Sequence, residues 1–330
     1  MLLITGATGF IGSRMAQRLH ARGLELVLLG RLRNEVEQQR AAHLRSLGLT
    51  VNDVDLTSED LSRYLDGVER VIHLAAAQHE ANQPEPYFEK INVEGTRRLL
   101  DACVKEGVRR LVFGSTIGVY GQALDGEISE HSPVAPDNHY GRTKLAAEQL
   151  VRQYGKQLEV AVARISETYG PGDYRLLKLF SGIQKGVFFL IGSGENLHQL
   201  VYVDDLVDGL YELATSGTTA GQTVVLAGDE IVSTRDMCRH IADAVNKPLR
   251  RLRLPLFPFM IAAVTFEQTL GRAGIQPPLH RRRLDFFRKS FYFSPLERNR
   301  LMKWRPAVMF DEGTRRAAEW YRDAGLLRKG

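Results

Sequence analysis

Two short stretches carry side chains whose types and spacing could do acid–base chemistry. In "HYGRTKLAAEQL" (139–150), Tyr140 and Lys144 stand four residues apart, which puts them on one face of a helix. A phenol with its ordinary pKa near 10 is a poor proton carrier at neutral pH. A neighbouring ammonium stabilises the phenolate and brings that pKa down. In "FGSTIGVYG" (113–121), Ser115 and Thr116 follow the apolar run "RLVF" and precede glycines. Adjacent hydroxyls at a strand end can cap the chain's own turn, or one can be presented to a reacting oxygen. The residues alone leave both hydroxyls open, and an ordinary exposed pair is the plain alternative for Tyr140 and Lys144.

The elements around these stretches say what would position them. The chain opens with "LLIT" (2–5), and "TGATGFIG" then sets Gly6, Gly9 and Gly12 between a strand and a helix, with Thr8, Phe10 and Ile11 in the same loop. Glycines let the backbone turn tightly and approach a pyrophosphate, whose charge suits a helix N-terminus. Further apolar runs follow at 25–29, 49–51, 70–76, 109–113 and 159–165, separated by stretches with helical spacing that end on glycine. This alternation predicts βαβ units and an α/β fold with a doubly wound parallel sheet. The runs show little polar alternation, as strands buried on both faces should. After residue 165 the pattern breaks up. We read 1–165 as a nucleotide-binding core, to which segments near 197–230 return. Residues 166–196 and 231–330 read as a smaller, discontinuous substrate-binding region, with the cleft between the two.

The second strand ends in "LLGRLRN", so Gly30 occupies the place where an acid would accept from a ribose 2′-hydroxyl, and Arg31 and Arg33 follow. An arginine there can accommodate a 2′-phosphate instead. This tilts the cofactor toward NADP, with NAD possible. In "DVDL" (53–56), Asp55, beside Leu56, could accept from an adenine amino group or serve as a turn residue.

Composition excludes several classes. The 330 residues are 44% hydrophobic and 25% charged, ordinary usage for a globular protein with a sizeable core. Cys103 and Cys238 form neither a disulfide framework nor a metal-ligand pattern, so no metal is expected. The start shows no signal-peptide pattern, and a cytoplasmic location is expected. The apolar run 254–266 carries two prolines and falls short of the roughly 20 residues a membrane span needs. A buried helix is expected there, with shallow membrane contact as the lesser reading. The net charge of +5 is concentrated near 249–254 and 280–289. No nucleic-acid-binding motif accompanies it, so a solvated face or an anionic small-molecule substrate is expected rather than nucleic acid.

Taken together, "TGATGFIG", "DVDL", "HLAAA" (73–77), "INVEGT" (91–96), "GSTIGVYG", "YGRTK", "RISETYGPGD" (164–173) and "LVYVDDLVDGL" (200–210) resemble the extended short-chain dehydrogenase/reductases, the NAD-dependent epimerase/dehydratase family. The resemblance covers most of the chain and implies a Rossmann fold with a Ser/Thr–Tyr–Lys catalytic group. It implies Tyr140 as the acid–base and Lys144 as its partner, which also holds the cofactor ribose. It implies Thr116 as the catalytic hydroxyl, four residues before Tyr120, with Ser115 as the alternative. Leu74, Ala75 and Ala76 would line the cofactor, and Asn92 would support that site from behind. Relatives also imply a homodimer built through helices near 87–107 and 140–155.

Departures from the family pattern narrow the reaction. Dehydratases of the family carry an Asp–Glu pair just after the threonine, where this chain has Ile117 and Gly118. Its 3,5-epimerases use a Cys–His pair that neither cysteine matches. Hydride transfer at one carbinol carbon is left, as net redox or as 4-epimerisation. Nucleotide-sugar epimerases place an arginine where this chain has His198, and an asparagine where it has Glu167. His198 and Glu167 are therefore candidate substrate residues, with Arg282 in the run 281–283 as a further anion partner. A nucleotide-linked or modified sugar is the leading substrate class. A lipophilic ketone or alcohol of the hydroxysteroid or flavonol type is the alternative, because 254–266 resembles the tails of such reductases. A cofactor-sensing protein without catalysis is the third reading.

Overall fold

Strand β1 (Leu2–Thr5) lies at the centre of a seven-stranded sheet with β2 (Leu26–Gly30), β3 (Val51–Asp53), β4 (Arg70–His73), β5 (Arg110–Thr116), β7 (Glu159–Ile165) and β12 (Thr223–Leu226). These are read from a computed structural model that describes residues 1–78, 83–250, 252–269 and 284–328. The order is β12-β7-β5-β4-β1-β2-β3, and every pairing is parallel. The winding reverses between β1 and β4, which opens a crevice at their carboxyl ends. This is the Rossmann-like fold expected from the alternating runs.

Both faces of the sheet are covered. On one, Ile4, Leu28, Ile72 and Val112 pack against Met15 and Leu19 of α1 (Phe10–Ala21) and Leu206 and Leu210 of α7 (Val203–Thr215). On the other, Leu3, Val71 and Leu111 pack against Leu99 and Cys103 of α4 (Gly95–Lys105) and Ala147 and Leu150 of α5 (His139–Gln153). Helix α2 (Glu35–Ser46) covers the first face beside α1, and α3 (Glu85–Glu89) leads into α4 through a π-helical turn, Lys90–Glu94.

The smaller region is stitched on by short strand pairs. β6 (Gly126–Ile128) pairs with β15 (Phe291–Phe293), β8 (Thr168–Tyr169) with β11 (Val201–Tyr202), β9 (Leu190–Ile191) with β14 (Arg253–Leu254), and β10 (Leu197–His198) with β13 (Val232–Ser233). Phe180 of α6 (Leu177–Gln184), Met237 and Ile241 of α8 (Thr234–Ala244) and Tyr321 of the C-terminal helix Phe310–Asp323 form its own core. The "VDD" of α7 locks the parts together. Asp204 takes a bidentate bond from Arg14 at 2.5 and 2.9 Å, and Asp205 accepts from the N–H groups of Ala307 and Val308 at 3.0 and 2.9 Å. Helix α9 (Leu256–Thr269) departs from expectation: among its residues whose burial is described, only Ala263 is fully buried.

Strand β5 runs three residues past the expected end at Phe113, so both hydroxyls belong to the strand. Successive strand residues face opposite sides, and this separates them. Ser115 donates to Glu148 Oε1 at 2.5 Å. Glu148 is buried on α5, and Arg164 of β7 meets it through Nε at 3.1 Å and Nη2 at 2.9 Å. Arg164 also donates to the Tyr120 hydroxyl at 3.0 Å and to the Glu130 carbonyl at 3.1 Å. Removing one partner of such a buried pair leaves the other charge unsolvated, at about 3–5 kcal/mol. Arg164→Met is therefore expected to lower unfolding free energy by about that amount, read as a shifted urea midpoint. Arg152, exposed and 3.5 Å from Glu148, gives a control: Arg152→Met is expected to stay within about 1 kcal/mol of the native chain.

Candidate active site

The glycine loop forms a cradle with little room for side chains. Gly6 adopts φ +68°, the left-handed region that favours glycine, and a Cβ there would collide with the backbone of Leu74 and Ala75. A Cβ on Gly12 would overlap the Gly6 carbonyl, so Gly12 serves close packing of α1 on the loop. Helix α1 begins after Gly9 with no side-chain cap and no acid in its first turn. Its free N–H groups and dipole leave a place for an anion. A cavity of about 150 Å³ extends from Gly6, Thr8 and Gly9 past Arg31 and Asp55 to Leu56. Leu74, Ala75 and Ala76 form its opposite wall. These features fit a dinucleotide cofactor. Ile11, by contrast, packs into the core, and Phe10 lies against Gly172.

The wall at Leu74 and Ala75 is fixed by a buried relay. The Thr5 hydroxyl accepts from the N–H groups of Leu74 and Ala75, both at 3.2 Å, so its own proton goes to His73 Nδ1 at 2.6 Å. His73 Nε2–H then donates to Thr96 at 2.9 Å, and Thr96 donates to the Asn92 carbonyl at 2.7 Å. Asn92 is buried in the π-helical turn and does not line the cavity. Its side chain accepts from Ala77 N–H at 2.8 Å and donates to the Ala77 carbonyl at 3.0 Å and to Thr143 at 2.9 Å. It thus joins the wall of the cavity at Ala77 to helix α5 at Thr143.

At the rim, a Cβ on Gly30 would meet the Thr8 side chain at 2.6 Å. The Thr8 hydroxyl bridges Arg31 there, donating to its carbonyl at 2.9 Å and accepting from its N–H at 3.2 Å. Arg31 ion-pairs with Asp55, and Arg33 lies 3.7 Å from the same carboxylate. Asp55 also accepts from the Thr57 N–H at 2.9 Å and hydroxyl at 2.7 Å. Partial burial opposes its ionisation, but the Thr57 and Arg31 hydrogen bonds outweigh that and hold it well below the usual carboxylate range. Asp55 is a turn residue and an arginine partner at once. Arg33 lines the rim beside Arg31, whereas neither the Arg31–Asp55 pair nor Glu37 at the rim was expected from spacing.

The catalytic candidates meet where α5 touches the end of β5. Asn138 caps α5, accepting from Gly141 N–H at 3.0 Å. A Cβ on Gly141 would sit 2.7 Å from the Gly118 carbonyl, so only glycine lets the first turn come this close. Thr116 accepts from Gly118 N–H at 3.0 Å and lies near enough to Tyr140 to favour its phenolate. Burial pushes the Tyr140 phenol up to about 12, against the pull of Thr116 and of the Arg175 charge. Lys144, 1% exposed, holds its ammonium 4.0 Å from the Phe113 ring centre, and burial lowers it to about 7, with Glu148 pulling the other way. The geometry brings together Thr116, Tyr140 and Lys144. Ser115 also faces α5, but its hydroxyl is committed to Glu148 further along that helix and is not part of this group.

The substrate candidates lie beyond the end of β7. His198 is buried, with Nε2 2.9 Å from the Thr234 hydroxyl, its ring 4.8 Å from that of Phe286, and Nδ1 3.9 Å from Glu167 without a hydrogen-bond partner. Burial lowers its pKa, which Glu167 partly offsets. Arg282, with Arg281 and Arg283, lies outside the described residues. Arg175, half-exposed in the "YGPGDYR" loop, was not anticipated. Ile117 is buried with Val119, Tyr120 and Ile128, so the turn after Thr116 offers no carboxylate. Cys103 and Cys238 are buried and pushed up to about 12 by desolvation, far from a thiolate at neutral pH.

The profile of the NAD dependent epimerase/dehydratase family matches residues 2–227. The chain belongs to this family. Among relatives of this epimerase/dehydratase chain, short-chain dehydrogenase/reductase family 42E member 1 of Bos taurus is 29% identical, covering 99% of this chain and 88% of that one. A UDP-glucose 4-epimerase of Vibrio cholerae is 25% identical over 98% and 96%. The solved structure of MoeE5 in complex with UDP-glucose and NAD superposes with a TM-score of 0.75 at 25% identity, covering 98% of this chain and 99% of that one.

The buried His73 sets a pH window. Burial, reinforced by the Lys144 charge, lowers it to about 3, whereas the unfolded chain takes up that proton near 6.5. Below about 6.5 the unfolded state binds more protons, so stability falls as pH drops toward 3. The depressed His198 adds the same sign. Thermal midpoints of the native chain are expected to fall through this window, and His73→Gln is expected to flatten the slope.

Proposed function

We propose that this epimerase/dehydratase-family protein is an NAD(P)-dependent oxidoreductase or epimerase acting at one carbinol carbon of a nucleotide-linked or modified sugar. The observation that carries this reading is the meeting of Thr116, at the end of β5, with Tyr140 in the first turn of α5, Lys144 standing one turn further along the same helix. The bound nicotinamide would supply the hydride acceptor and donor. Thr116 would orient the reacting oxygen and Tyr140 would carry its proton. Lys144 would hold the cofactor ribose and favour the phenolate. Glu167 and His198 would meet the substrate, and Arg175 would offer a cation for an anionic group. The lack of a carboxylate after Thr116 supports hydride chemistry over dehydration. The similarity to a UDP-glucose 4-epimerase supports the sugar class.

The alternative, a reductase of lipophilic ketones or alcohols, is favoured by one feature, the exposed apolar helix α9. A panel of UDP-sugars and hydrophobic ketones, followed at 340 nm and by product chromatography, separates the two. Turnover of a sugar nucleotide without net NADH release is expected; turnover of hydrophobic ketones alone would sink the sugar reading. Tyr140→Phe is expected to lower kcat by about 10²–10⁴-fold with dinucleotide affinity nearly unchanged. Intact turnover in that variant would return the protein to the class of cofactor sensors.

A preference for NADP is proposed from Gly30, which offers no acid to a ribose diol, and from Arg31 and Arg33 at the rim. Asp55 already holds Arg31, which moderates it. Arg31→Ala is expected to weaken NADPH about tenfold or more and NADH less, by fluorescence titration. Equal losses would remove the preference. The homodimer through α3, α4 and α5 stays a proposal that sedimentation reads directly.

A further inference from the structure

Helix α9 is polar only at its end. Its run "LFPFMIAAVTF" (256–266) holds one polar side chain, Thr265, before Glu267, Gln268 and Thr269 close the helix, and an apolar run of this kind is the pattern of a helix surrounded by protein or lipid. Yet Phe257 is 73% exposed and Ile261 52%, and Leu252 just before the helix is 52% exposed. Single exposed apolar residues are ordinary; three within ten residues of one apolar segment form a patch. The stretch leading into the helix, "KPLRRLRL" (247–254), holds four of the chain's Lys and Arg residues and no acid. Lys247, Arg250 and Arg253 are exposed, and among the described residues none of the three has an ion-pair partner. Elsewhere on this surface arginines are commonly paired, as Arg300 is with Glu297 and Arg315 with Glu312.

We propose that α9 and the basic stretch before it form a docking surface for an anionic lipid bilayer. Leu252, Phe257 and Ile261 enter the boundary between headgroups and acyl chains, while Lys247, Arg250 and Arg253 meet the anionic headgroups. The helix does not cross: it spans 14 residues, about 21 Å at the α-helical rise, against a hydrocarbon core of about 30 Å. No described helix is long and apolar enough to cross a membrane. The surface adjoins the candidate substrate residues. Gly192 lies between Leu256 and the Phe287 carbonyl, and the neighbouring Phe286 ring stacks on His198. A docked protein would therefore turn this side of the cleft toward the bilayer. The docking itself does not rest on the activity proposed above, and its test reads binding alone.

The test is flotation of the full chain with phosphatidylcholine vesicles, with and without phosphatidylglycerol. Flotation with the anionic vesicles is expected, much less with neutral ones, and release at high salt. Phe257→Ser with Ile261→Ser is expected to weaken partitioning at least about tenfold. Arg250→Ser and Arg253→Ser are each expected to weaken it about fivefold on anionic vesicles alone. All these side chains are exposed, so unchanged thermal midpoints would show the variants folded. Absence of flotation, or variants that float like the native chain, would overturn the proposal. So would sedimentation showing a dimer that the Phe257/Ile261 variant dissolves, since that would assign the face to a second copy.

Discussion

Glu148 is a carboxylate placed where no water can solvate it, and the geometry of the site depends on how it is satisfied. One oxygen takes the Ser115 hydroxyl and Arg164 Nε, the other Arg164 Nη2. A buried charge tolerates little displacement, because lost hydrogen bonds are not replaced by solvent. The pair therefore fixes α5 against the ends of β5 and β7. Lys144 lies one turn before Glu148 on the same helix, and Thr116 follows Ser115 on the same strand. An apolar contact would pack these elements about as well but would let them slide, whereas bonds to two neighbouring strands from one carboxylate set register as well as distance. Gly141 completes the constraint by letting the first turn of α5 rest on the Gly118 carbonyl.

A second tie joins the cofactor cradle to the substrate side. Arg40 of α2 donates to the Gly172 carbonyl at 2.8 Å and to the Thr8 carbonyl at 3.4 Å, and its charge lies over the Tyr174 ring. The same loop presses Gly172 on Phe10 and carries Arg175 toward Tyr140. One loop thus touches the glycine cradle at Phe10 and Thr8, brings the Arg175 charge near Tyr140 and, through Asp173 and the Thr168 carbonyl, ties to the strand pair of the smaller region.

How much of this was legible in the sequence follows from range. Strand runs such as "EVAVARI" were readable because burial on both faces removes polar alternation, a local signal. The glycine loop was readable because each glycine answers a steric demand within a few residues. The resemblance favoured Thr116 over Ser115, but their types and spacing alone did not; the strand's continuation past Phe113 puts the two on opposite faces by period two. What spacing could not show were contacts set by register and long-range packing. Arg31 meets Asp55 because β2 and β3 pair Gly30 with Asp53. His198 is enclosed by Phe286, far away in the chain. Helix α9 was expected to be buried on composition alone, and composition does not say whether a neighbour exists to cover it.

The charge state of Tyr140 and Lys144, the candidate catalytic pair, follows from the same burial. Desolvation penalises whichever form is charged, so it moves the Tyr140 phenol up and the Lys144 ammonium down, and without a ligand both are biased toward neutrality. Proton transfer needs the opposite, a phenolate beside an ammonium. Glu148 helps only the lysine: its negative charge keeps Lys144 from falling further, at no gain to the phenolate. Thr116 and Arg175 help only the tyrosine. The two groups are thus tuned separately, from opposite ends of one helical turn.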